Sequence, residues 1–153
     1  MSTLRVDTIA NTAGVTNNRV LQVVNATYTT EVSTSGGSYI DTGLTATITP
    51  SSASSTILVF VEQVGLRKAA GNGGIFLKLL RGATDIVHLC VNDVYTASTI
   101  ALRVAGVGTT YLDSPATTSA TTYKTQFYAY NSVLAYVQGD NSKSTLTLME
   151  IAG

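Results

Sequence analysis

Nowhere in these 153 residues do apolar side chains keep a helical period for three turns, while Thr, Val, Ile and Tyr recur in short runs. Those residue types suit a pleated, half-buried backbone, so the chain reads as all-β. Turn-forming clusters punctuate the runs at the spacing of a β-sandwich or jelly roll, at 35–37, 50–55, 70–74, 81–82, 92–93, 106–108, 113–118 and 139–143. Strands are expected near 20–33, 39–49, 56–66, 75–80, 85–91, 99–104, 121–130, 135–138 and 145–151. Gly71 to Gly74 and Gly106 to Gly108 read as hairpin turns, because neither has the strand-loop-helix setting or the Lys of a phosphate cradle.

Three of these runs, Thr56 to Val61, Ile75 to Leu80 and Leu146 to Ile151, carry apolar residues on both faces instead of alternating cleanly. A two-layer sandwich covers only the inner face of each strand. The outer apolar residues then need another cover, and with no helices to supply it the economical source is an identical neighbouring subunit. Interface candidates are Phe60, Phe76, Leu146, Leu148, Met149 and Ile151. Composition points the same way: 12% of residues are charged against 44% hydrophobic. Nine Lys and Arg balance nine Asp and Glu, so no net field draws in nucleic acid or an anionic membrane.

The length fits one domain. Residues 1–19 read as an extended N-terminal segment, with short apolar spots at Leu4, Val6 and Ile9 as docking candidates, and 20–153 as the folded head. The one cysteine, Cys90, cannot form a bridge within the chain and reads as a buried thiol. The start shows no apolar stretch of signal-peptide length, and no window approaches a membrane span, so synthesis in a cytoplasm without export or membrane insertion is expected.

Residues able to do chemistry are sparse. The single histidine, His88, lies in a strand-like run, where a period of two places it with Ile86 and Cys90, so it reads as a core or interface residue. No catalytic residues are expected: His88 has no neighbouring nucleophile pattern, and the carboxylates show no glycosidase-like local pairing. No metal or cofactor site is expected either, since His88 and Cys90 alone cannot complete a zinc site and Gly139 to Ser142 reads as a plain turn. Eight tyrosines, against three Phe and no Trp, are the abundant aromatics. Exposed Tyr beside Asn, Ser and Thr can stack on a sugar while offering a hydroxyl. Polar, glycine-rich or Tyr-bearing loops therefore supply the recognition candidates Asn72, Asn92, Tyr95, Tyr111, Asp113 and Asn131.

Several ordered blocks carry a family resemblance: Ser2 to Ile9, Asp41 to Pro50 followed by Ser and Ala, Leu79-Leu80-Arg81-Gly82, Asp113-Ser114-Pro115, Tyr123-Lys124-Thr125-Gln126, and Ser144 to Ile151. Together they resemble fibre or whisker proteins of tailed phages. The resemblance implies a jelly-roll head similar in shape to trimeric C1q-like domains, with the last strand near the threefold axis. It also implies an N-terminal leader that joins other virion proteins, and loops that touch the host surface, polysaccharide being the expected partner. The expectation is a homotrimeric virion protein assembled in the host cytoplasm. A capsid-decorating or neck-whisker protein without a receptor is the alternative, and an enzyme acting on surface sugars is disfavoured by the scattered carboxylates. No coiled-coil heptads precede the head, so a long shaft made by this chain itself is not expected.

Overall fold

The computed structural model describes residues 19–92 and 94–153. Residues 1–18 of the expected leader, with Leu4, Val6 and Ile9, lie outside the described residues. The elements are β1 (Val20–Tyr28), β2 (Val32–Thr34), β3 (Ile40–Ile48), β4 (Thr56–Lys68), β5 (Ile75–Arg81), β6 (Thr84–Val91), β7 (Leu102–Asp113), β8 (Thr121–Ala129), β9 (Ala135–Val137) and β10 (Ser144–Ile151), with one-turn 3-10 segments at Tyr130–Ser132 and Gly139–Asn141.

The strands form two antiparallel sheets packed face to face. In the first, the central β4 pairs with β7 on one side; on its other side β10 and then β1 flank its first half, and β9 and then β2 flank its end. The second runs β3, β8, β5, β6. Neighbours in each sheet are mostly distant in sequence, which is the jelly-roll arrangement of a β-sandwich. The all-β sandwich read from composition and turn spacing is the observed fold.

Clean alternation on β10 and β8 turns every second side chain inward. β4 starts in the same way, burying Ile57, Val59, Val61 and Gln63, but then buries Leu66 and Lys68. Gly65 resets the count. Its φ is +65°, and a Cβ there would lie 2.4 Å from the backbone nitrogen of Gly139, so only glycine allows both the turn and the close approach. The bend falls where β4 exchanges β10 for β9 as its neighbour.

Two apolar clusters fill the sandwich, one around Ile57, Val59, Leu79, Tyr123, Leu146 and Leu148, the other around Leu66, Ile75, Leu77, Phe127 and Val137. Between them lies a layer of fully buried polar side chains, Thr42, Gln63, Thr125, Gln138 and Ser144. Thr125 Oγ1 donates to Gln63 Oε1 at 2.9 Å, and Gln63 Nε2 donates to Ser144 Oγ at 3.0 Å. Having given its proton to Gln63, Thr125 receives one from Thr42 Oγ1 at 2.6 Å. On β3, β4 and β8 the polar residue stands between a residue of one cluster and a residue of the other. This chain of hydrogen bonds fixes the register of those strands in a way that methyl groups alone would not.

One expected turn is absent. Gly106, Val107 and Gly108 lie inside β7, paired with Val64, Gln63 and Glu62. A Cβ on Gly108 would come within 2.2 Å of Glu62 Oε2 and 2.8 Å of the Val61 carbonyl, so these glycines serve close approach within a strand.

Candidate functional site

The sandwich leaves one broad face unexplained by its own packing, the outer side of the first sheet. Strand register sets Val23 of β1 beside Met149 of β10, Met149 beside Leu58 of β4, and Leu58 beside Leu112 of β7. This is an apolar row across four strands. Ile151 on one side of the row and Phe60 on the other extend the patch, and Val23, Phe60 and Leu112 are 54%, 40% and 57% exposed. The next rows turn polar, with Asn25, Thr147 and Thr110 around Phe60, and then Thr27, Thr145 and Glu62.

Beside Phe60 the face is dented. A depression of about 310 Å³ is lined by Phe60, Glu62, Gly108, Thr110 and Thr145. It exists because β7 carries glycine there. Farther along the same face the charges neutralise one another: Arg67 grips Glu31 through two hydrogen bonds of 2.8 and 2.7 Å and stacks on Tyr136, and Arg103 pairs with Asp140.

The interface candidates thus divide. Phe60, Met149 and Ile151 lie on this outer face. Leu146 and Leu148 do not: both are fully buried in the first apolar cluster, because the strict alternation of β10 turns them inward. Phe76 sits on the outer side of the other sheet, stacked against Tyr128.

The recognition candidates divide as well. Asn72, Tyr95 and Asn131 come together at one end of the sandwich, where loop residues 69–74 and 94–101 meet through paired Gly73 and Thr96 and where Tyr130 N donates to Gly74 O at 2.9 Å. The buried ammonium of Lys68 stiffens this end by donating to the carbonyls of Ala69, Gly71 and Ile100. Asn92 turns inward instead, its amide oxygen buried and close to where a Gly74 Cβ would stand. Tyr111 faces the first apolar cluster from β7. Asp113 is a buried structural acid: it accepts two hydrogen bonds from Arg81 Nη1, at 2.8 and 2.7 Å, and one from Tyr123 OH at 2.6 Å. Burial first, and the bond to Asp113 second, hold the Tyr123 hydroxyl far above its ordinary pKa, so it remains a donor.

His88 is not in the core. β6 carries two irregularities against β5, where Leu77 and Lys78 pair with Cys90 and His88, and Leu79 and Leu80 pair with Val87 and Asp85. The skipped residues Leu89 and Ile86 pack inward with Val87, and His88 is left exposed on the outer side opposite Lys78. Among the described residues no group of three His, Cys, Asp or Glu is placed to hold a metal ion, and no helix is long and apolar enough to cross a membrane.

No family model matches the chain, and no curated protein matches it. Among solved structures it is similar to infectious bursal disease virus Gt strain, with 13% identity and a TM-score of 0.48 over 97% of this chain and 44% of that one. The VP2 subviral particle of infectious bursal disease virus shows 11% identity and a TM-score of 0.48 over 97% and 43%, and the Gx strain 11% and 0.47 over 98% and 37%. The chain spans less than half the length of each of these.

Proposed function

We propose that this protein is a non-enzymatic structural component of a virion, a phage fibre or whisker head that assembles as a homotrimer through the outer face of its first sheet and contributes to attachment at the host surface. The observation that carries the assembly is the apolar row Val23, Met149, Leu58 and Leu112, extended by Ile151 and Phe60, on a face that no other part of the described chain covers. Burial of such a face is favourable by about 25 cal/mol per Å², and its rows hold no charge until Glu62, so little ion desolvation opposes contact. A ring requires two different patches that fit each other. The exposed Phe60 ring and the apolar row Val23, Met149, Leu58 and Leu112 are two such patches on one face. The virion role and the number three rest on the sequence blocks that resemble phage fibre heads.

Light scattering on the eluting protein tests the assembly. The expected mass is three times the 16.0 kDa chain, and Leu58→Asp should shift the population to monomer with its β-sheet circular dichroism intact. A wild-type monomer at micromolar concentration would refute the reading. A capsid-decorating or neck protein with no receptor would share the trimer but retain no host-surface glycan.

A further inference from the structure

The outer face of the second sheet differs in chemistry from that of the first. Strand register sets Phe76 between Tyr128 and exposed Val91, and Tyr39, just before β3, brings its ring against Tyr128. Phe76 and Tyr128 stack at 4.6 Å between ring centres with planes 11° apart, and Tyr39 meets Tyr128 edge-on at 4.7 Å. At the sandwich end the series continues through Tyr130, 6.1 Å from Phe76, to Tyr95, 6.4 Å from Tyr130. Five rings therefore run without a break from the sheet onto the loops, and the last two are 39% and 40% exposed.

The row directly beneath is polar. Asp41, Gln126, Lys78 and His88 follow one another across the four strands. Lys78 Nζ lies 2.8 and 2.9 Å from the two Asp85 oxygens and 4.0 Å above the Tyr39 ring. Asp41 accepts from Gln126 Nε2 at 2.7 Å and from Lys124 Nζ at 3.0 Å. The side chains of Asp41 and Asp85 are 54% and 50% exposed, so both carboxylates keep lone pairs facing solvent. Each acid is balanced by a lysine.

We propose that this face is a carbohydrate-binding site for a neutral polysaccharide. Sugar rings present flat C–H faces, which stack on aromatic rings, and hydroxyls at their edges, which need donors and acceptors at the same height. Here Tyr130 and Tyr95 offer exposed ring surface at the end of the mutually packed Tyr39, Tyr128 and Phe76, and a bordering row of carboxylate, amide and ammonium groups lies beside that stack on rigid strands. The two lysine-carboxylate pairs cancel, which matches an uncharged polyol and gives a polyanion no net attraction. This assignment rests on the host-attachment reading, to which it gives a place and a ligand class.

The test is retention of the intact oligomer on an array of bacterial surface polysaccharides. Wild type should bind one or more neutral glycans. Tyr95→Ala with Tyr130→Ala, at the exposed rim, should weaken the interaction about tenfold. Asp85→Asn, which keeps every ring, should weaken it by a smaller factor. Failure of the wild type to bind any arrayed glycan, selective capture of polyanions alone, or affinity within twofold of wild type in the double variant would overturn the proposal. Mass by light scattering on the same samples registers separately whether assembly has failed.

Discussion

Glu150 is a fully buried carboxylate, and the fold is arranged to keep it ionised. It faces inward from β10 and accepts hydrogen bonds from Ser51 N at 2.7 Å, Ser51 Oγ at 2.6 Å and Gln22 Nε2 at 2.6 Å. Burial pushes its pKa up, but the bonds from Ser51 and Gln22 outweigh that and hold it at about 2, against an ordinary value of 4.5. Because the folded value is the lower one, the stabilisation is complete above about pH 4.5 and is lost as pH falls toward about 2. A gap of this size corresponds to at most about 3 kcal/mol at neutral pH, reduced by solvent screening around the exposed Ser51. Glu150→Gln replaces an acceptor with an amide NH2 that points at donors, so it should cost about 2–3 kcal/mol at pH 7. Near pH 2 the wild-type carboxyl is itself taking up a proton, and the two proteins should converge. Urea unfolding followed by circular dichroism between pH 7 and pH 2, at one protein concentration, measures both curves. Parallel curves over the whole range would show that the hydrogen bonds around Glu150 do not set the acid response.

Two further substitutions probe the interior. Gly65→Ala forces a side chain into a left-handed conformation and against the backbone of Gly139, and should cost about 3 kcal/mol or more in chemical denaturation. Thr125→Val preserves shape but leaves Gln63 Oε1 without its donor and Thr42 without its acceptor, for an expected loss of about 1–3 kcal/mol; Thr125→Ser, which keeps the hydroxyl, should lose less.

Much of the architecture is legible in the sequence because β-rich runs separated by turn residues leave few alternatives. Most strands fall close to their expected spans. β7 is the main departure: Gly106 and Gly108 look like a turn, yet they lie in a strand, since what they accommodate is the Glu62 side chain of β4, and nothing local announces a neighbour paired across the sheet. The period-two rule places His88 with Cys90, and the irregularities that separate them depend on β5 pairing. The two-faced character of Leu146 to Ile151 correctly signals an oily outer face, but which alternate set points outward is decided by Leu146 and Leu148 entering the core. The polar layer at Gln63, Thr125 and Ser144 was equally hidden, because buried and exposed Thr or Ser look alike in a Thr-rich chain.

The two outer faces differ in what they ask of a partner. The apolar row Val23, Met149, Leu58 and Leu112 of the first sheet loses no hydrogen bonds to water on dehydration, whereas the row of Asp41, Gln126 and Lys78 on the second sheet would lose its water contacts in the same contact. Tight, dry packing against another copy therefore favours the first face. A hydrated ligand that brings its own hydroxyls favours the second, because each water removed can be replaced by a hydrogen bond of similar kind. Since the sheets lie back to back, association through the first directs the aromatic face away from the contact. Assembly would then multiply copies of the second face without covering it, and several weak sugar contacts on one oligomer would act together on a repeating polymer.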